Sequence, residues 1–358
     1  MKIVSVKVWS YSNELASPIY VKGNQLMNRS GLFISLFLSD GSYGIGEISP
    51  LPGFSQDTLE MCKSSISDLI GFLLSKELEL SLGGCISLLS DLHTLESIPV
   101  SVEHGVGMAL MQLISYKRQI SISTLLNPNA KSDISFHGLL VGSLSDILSQ
   151  YETLTQYGFN RFKLKVGQLS TTDEIDRLNG FLSKKQSDHI VWLDANRQWT
   201  LQVASDICTS IDSNQILYVE EPVELESELD LFFDRTGIRY GLDETIILNP
   251  DLNMSVLRGL NVFILKPMCL GLRSLIDYYN SSKDTPIDIS ISSIYETSLT
   301  HRYYCHLSAA FSKHHSVGID AVQFLEFCNR SIQPNFLVSD LSLSVQSELS
   351  LFGSLYRW

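Results

Sequence analysis

The chain has 358 residues, 44% of them hydrophobic, and carries 39 acidic against 26 basic side chains for a net charge of −13. That length suits a barrel-sized domain plus a smaller one. An acidic chain with no Lys/Arg cluster is a poor partner for nucleic acid or an anionic membrane, and no run reaches the roughly 18 apolar residues of a bilayer span.

The opening MKIVSVKVWSYSNEL alternates like a strand and lacks the apolar core of a signal peptide. Cys62, Cys85, Cys208, Cys269, Cys305 and Cys328 are scattered with no CxxC pair, which reads as free thiols in a reducing cytosol. A cytoplasmic location is therefore expected. Residues 1–50 read as strands, with a Ser-Asp-Gly-Ser turn in LFISLFLSDGSYGIGEIS marking a hairpin. Pro52-Gly53 marks a loop. Ser55 or Asp57 is placed to cap a helix whose apolar face carries Leu59, Cys62, Ile66, Leu69 and Ile70. A second helix is expected from Ser101, with Val106, Leu110, Leu113 and Ile114 in helical spacing. The polar stretch LLNPNAKSDIS then marks a boundary. The expected division is an α+β capping domain over 1–128, a barrel over 129–330, and a tail over 331–358 that packs back on the capping domain.

After the boundary, short apolar strands alternate with helices. Strands are expected at 135–142, 161–167, 189–197, 217–223, 240–245, 262–267, 288–296 and 316–320. One helix places Ile175, Leu178, Phe181 and Leu182 on a face; another does so with Val203, Ala204, Ile207 and Ile211 after Thr200. Such repetition argues for a parallel sheet, and eight strands fit a closed barrel. An open doubly wound sheet is the alternative, but no GxGxxG follows any strand.

In RFKLKVG, side-chain alternation puts Phe162, Leu164 and Val166 on one face and Lys163 and Lys165 on the other. An edge strand with one wet face would explain this stretch alone. The later strands change that reading, because polar groups gather at their C-terminal ends: Asp194 and Asn196 in LDANR, Glu220 in VEEP, Asp243 in LDE and Lys266 in LKP. The C-terminal rim of a parallel barrel is where catalytic groups sit. Asp194, Glu220 and Asp243 would repel one another there unless a cation lay between them, and an all-oxygen set favours Mg²⁺ or Mn²⁺. Glu220 is chosen over Glu221 because it shares a face with Tyr218 and Pro222. Glu221 and Glu244 are expected to point the other way. Lys165 and Lys266 would flank whatever the ion holds, and one of them can act as a base.

This order of KxK, three spaced acids and a further lysine resembles the enolase superfamily over nearly the whole chain. The fold implied is a modified (β/α)7β TIM-type barrel, in the α/β class, with an α+β N-terminal capping domain. GEISPLPGFSQDT, FKLKVG, LDANR, EEP, LDE, LKP and SSIYETSL further resemble the o-succinylbenzoate synthase family of menaquinone biosynthesis. That resemblance implies Asp194, Glu220 and Asp243 as metal ligands and Lys165 as base. It further implies Lys266 as opposing cation, Lys163 as electrostatic support and Asn196 as a residue behind the ligands. The reaction implied is dehydration of a cyclohexadiene carboxylate, SHCHC, to o-succinylbenzoate through an enediolate. A small-molecule dicarboxylate is then the substrate, with no nucleic-acid or membrane partner.

Ser292 and Ser293 would contact a substrate carboxylate, and Phe54 and Ser55 of the PGFS loop would close over it. Two departures stand out. Tyr295 is inserted before Glu296 in the serine-rich segment, and Trp192 occupies a position where a basic residue is expected. Arg29, in a capping loop, is a candidate to hold the second carboxylate in its place. N-acylamino-acid racemisation and dipeptide epimerisation use the same lysines and stay open. A Schiff-base aldolase or a non-catalytic ligand-binding barrel is the reading from a different class.

Overall fold

Strand alternation begins at the third residue. In the computed structural model, β1 (Ile3–Val21) folds back on β2 (Asn24–Leu38), and β2 pairs antiparallel with β3 (Tyr43–Ile48) across the Asp40-Gly41 turn. The structure describes residues 1–21, 23–95, 98–250, 257–314, 316–319, 335–337 and 356–357. His315, Cys328 and most of the expected tail lie outside these. Of that tail, β12 (Asn335–Leu337) pairs with β4 (Asp133–Ser135), and β13 (Tyr356–Arg357) pairs with β1.

Four helices follow, α1 (Leu59–Ser75), α2 (Leu82–Leu92), α3 (Val100–Arg118) and the short α4 (Ile122–Leu126); α1 and α3 pack on this sheet, and α2 and α4 pack on α3. Gly44 and Gly46 let α3 lie directly on β3, since a Cβ at either would fall 1.9 or 1.8 Å from the carbonyl oxygens of Ala109 and Gly105. Thr58, not Ser55 or Asp57, caps α1 by accepting the Met61 N–H at 3.2 Å. Asp57 instead accepts the Ser101 N–H at 2.9 Å, satisfying a free donor at the start of α3. The α2 segment, capped by Ser81, was not anticipated, because Gly83-Gly84 lowers its helix propensity.

Among the described residues, the second part is a parallel sheet of seven strands in order β5 to β11. Its strands are β5 (Gly138–Leu140), β6 (Arg161–Lys165), β7 (Ile190–Asp194), β8 (Val219–Glu220), β9 (Tyr240–Leu242), β10 (Leu260–Leu265) and β11 (Asp288–Ile291). Between and after them run α5 (Leu144–Gln156), α6 (Thr171–Leu182), α7 (Leu201–Thr209), α8 (Leu229–Thr236), α9 (Glu244–Leu248), α10 (Pro267–Ser282) and α11 (Ser298–Phe311). Thr200 caps α7 as expected, though Ile211 lies beyond its end.

The expected strand at 135–142 is broken into β4 and β5. The expected eighth strand is reduced, within the described residues, to single parallel bridges, Phe136 to Val317 and Ser292 to Gly318. These bridges link the first and last strands, curling the sheet toward closure in the manner of a TIM-type barrel. β6 lies between β5 and β7, so it is not an edge strand. Phe162 and Leu164 are fully buried toward the helices.

Candidate active site

Strand register assembles the site. Across the parallel ladders Lys165 is level with Asp194, Asp194 with Glu220, and Glu220 with Gly241. Three charged residues from three neighbouring strands thus arrive at one height of the rim. Lys163 Nζ lies 2.8 Å from Asp194 Oδ2 and 2.7 Å from Glu220 Oε1. Lys165 Nζ donates to Asp194 Oδ2 at 2.6 Å and to Asn196 Oδ1 at 2.7 Å. Lys266, at the end of β10, forms an ion pair with Asp243. Below them Trp192 stacks on Tyr218, ring centroids 5.7 Å apart, and meets the His137 ring edge-on. Trp192 therefore supplies an apolar floor where a cation was expected.

The electrostatics follow from burying several charges together. Burial opposes the Lys163 ammonium, but Asp194 and Glu220 outweigh it and hold its proton well above the usual lysine range. Lys266 is likewise raised, because Asp243 and Glu244 outweigh its burial. Burial and then the Asp194 charge push Glu220 upward, whereas Lys163 and Lys165 hold Asp194 down despite its burial. Glu221 is pushed to about 7 by burial and the Glu244 charge. Its carboxylate accepts the N–H groups of Asp243 and Thr245 and the Thr245 hydroxyl, so it braces the end of β9.

Glu244 departs from the expectation. Asp243 breaks strand geometry (φ −126°, ψ −84°) as the cap of α9, so alternation ends at Leu242. Glu244 consequently lines the same cavity as Asp243 and accepts the Asn196 Nδ2–H at 2.8 Å.

Among the described residues no three carboxylate, imidazole or thiol side chains are drawn together as a bound metal would draw them; lysine ammonium groups stand between the acids. The donor set nonetheless fits a hard divalent ion. Asp194, Glu220 and Asp243 are each at most 3% exposed, and Asp243 Oδ1 is buried without a hydrogen-bond partner. An uncompensated buried lone pair on a carboxylate is costly and suits a cation.

A cavity of about 1330 Å³ opens above the three lysines. Ser292, Ser293, Phe54 and Arg29 line it. The Phe54 ring covers Lys266 Nζ, 5.1 Å from its centroid. Ser55 does not line the cavity; its hydroxyl accepts the Leu51 N–H within the loop. Arg29 is not a loop residue. It lies in β2, 4% exposed, and its terminal nitrogens donate to the carbonyls of Ser49, Pro50 and Ile294, leaving only Nε without a partner.

Residues 3–113 match the family described as MenC, N-terminal domain, and residues 146–334 match Enolase C-terminal domain-like. The chain belongs to the enolase superfamily, and it is an enzyme of that class. An o-succinylbenzoate synthase from Citrobacter koseri is 26% identical over 327 residues, covering 90% of this chain and 92% of that protein. The L-Ala-D/L-Glu epimerase structure from Bacillus subtilis superposes with a TM-score of 0.77 at 20% identity, covering 90% of this chain and 91% of the other. The dipeptide epimerase from Enterococcus faecalis, in complex with Mg and the dipeptide L-Leu-L-Tyr, gives 0.79 at 18% identity, covering 94% and 97%. These two likenesses establish the shared fold.

Proposed function

We propose that the chain dehydrates SHCHC to o-succinylbenzoate, a carbon–oxygen lyase reaction on a small-molecule dicarboxylate, as a cytoplasmic enzyme using Mg²⁺ or Mn²⁺. One observation supports this chemistry above the rest. Lys165 and Lys266 come from strand ends four positions apart around the sheet, with the three buried acids between them. Asp194, Glu220 and Asp243 would hold the ion. When bound, it supplies Lewis-acid stabilisation for negative charge gathering on the substrate carboxylate. The full-length likeness to synthases, beginning in the N-terminal domain, supports the particular substrate. The domain limits at 128 and 330 belong to the same reading.

Lys165 Nζ, oriented by Asp194 and Asn196, takes the proton α to the carboxylate. Lys163 keeps its proton and adds positive potential beside the base. Lys266 remains an ammonium on the opposing wall and steadies the carbanionic charge. Lys165 then returns the proton to the departing hydroxyl, which leaves as water as the ring becomes aromatic. Ser292 and Ser293 would hold a carboxylate and Phe54 would exclude water; Arg29 is committed to backbone carbonyls and its unpartnered Nε is buried, so it is not one of the substrate contacts. Epimerisation is the second reading, because lysines on opposite walls can address both faces of a stereocentre.

Following ultraviolet absorbance with SHCHC and Mg²⁺ tests the proposal. Turnover is expected in the wild type, lost with EDTA and restored by Mg²⁺, and reduced about 10³-fold or more by Lys165→Ala. Wild-type protein that ignores SHCHC but epimerises a dipeptide would sink the first reading in favour of the second.

A further inference from the structure

Among the described residues, the non-glycine positions with positive φ are Gln119, Asn196, Arg197, Glu221 and Tyr295. Gln119 ends α3. Asn196, Arg197 and Glu221 follow the strand ends of the site. Tyr295 (φ 66°) has no such role in the chemistry described, yet an aromatic residue in this region is an outlier that its surroundings must enforce.

The enforcement is visible on both sides. The carbonyl of Ile294 accepts from Arg29, and its N–H donates to Glu296 Oε2 at 2.6 Å. Glu296 is itself 6% exposed and fixed by the Tyr304 hydroxyl at 2.6 Å. Ile294 is buried among Val21, Leu51 and Met268. With both neighbours pinned, the chain turns through Tyr295, which is 51% exposed and lines the cavity. Two buried charged groups thus hold one phenol at the cavity.

We propose that Tyr295 is a specificity-determining residue: its ring packs on the carbon skeleton of the bound dicarboxylate, and its hydroxyl donates to the carboxylate remote from the reacting carbon. This rests on the dehydratase reading above. The inserted residue is then a substrate contact that the strained backbone exists to present.

The test compares Tyr295→Phe, Tyr295→Gly and Tyr295→Asn with wild type on SHCHC, an N-acylamino acid and a dipeptide. Glycine and asparagine both tolerate the backbone conformation. The expected result is a KM for SHCHC raised about threefold in the phenylalanine variant and at least about tenfold in the other two. kcat should stay within about threefold, and the melting temperature of the glycine variant should not fall. A glycine or asparagine variant with KM within about twofold of wild type overturns the proposal, as does a KM change accompanied by a melting temperature lowered in both. If wild type ignores SHCHC but turns over another substrate of the panel, the dehydratase reading fails. Tyr295 is then judged by the same KM criterion on that substrate. Inactivity of wild type on all three overturns both.

Discussion

Asn196 shows how one side chain sets the geometry of others. Its Oδ1 accepts from Lys165, its Nδ2 donates to Glu244, and its backbone N–H donates to Asp194 Oδ1 at 3.1 Å. It therefore fixes the direction of the proposed base from a position behind the acids. Asn196→Ala frees the lysine and strips Glu244 of its partner. A roughly 10- to 100-fold loss of kcat/KM is expected, the scale of outer partners at metal sites, with a modest fall in melting temperature because alanine is strained at the φ of 45° that asparagine tolerates. Steady-state kinetics beside a melting curve would check this; activity equal to wild type would remove the orienting role.

At the level of elements, Glu47 on β3 is the join between the N-terminal sheet and the barrel. Its fully buried carboxylate accepts the Thr297 N–H and hydroxyl, the Thr300 hydroxyl at 2.6 Å, and the Tyr11 hydroxyl. Thr297 is the cap residue of α11, so a negative charge sits where the helix leaves its first N–H groups unsatisfied. Glu47→Gln replaces an acceptor of charge-assisted bonds with a neutral amide. It should cost about 2 kcal/mol in chemical denaturation. The same change loosens the segment just before α11 that holds Ser292, Ser293 and Tyr295, so KM should rise with little loss of kcat. Unfolding curves superimposable on wild type would refute the role.

Over the whole molecule, buried ionisable groups set acid stability. Burial lowers His104 to about 3 and His301 and His306 to about 4, below the ordinary value of 6.5. The unfolded chain therefore takes up protons that the native one refuses, and stability falls as pH drops from 6.5 toward these values. Glu221 and Glu296, each raised to about 7 chiefly by burial, act in the opposite sense: their native forms hold protons that the unfolded chain releases between pH 4.5 and 7. Glu220 and Glu244, also raised, act with these glutamates, so the two sets of groups largely offset each other from pH 6.5 to 4.5; below 4.5 the histidines and the lowered Asp194 make stability fall. Calorimetric melting across that range checks the shape, and His301→Gln should flatten the lower limb.

The strand-and-helix alternation, the two lysines facing one way on β6 and the acids at successive strand ends were legible in the sequence. They depend on local periodicity and spacing, which the chain carries in one dimension. Glu244 was not legible, because alternation stops where Asp243 leaves the strand. The committed hydrogen bonds of Arg29 were not legible either, since its carbonyl partners at Ser49, Pro50 and Ile294 lie 20 to 265 residues away. Nor could the sequence show that Tyr295 is forced to the cavity by Arg29 and Glu296. Spacing decides which residues share a face; only the packed chain decides which buried group finds a partner, because that depends on contacts between segments far apart in sequence.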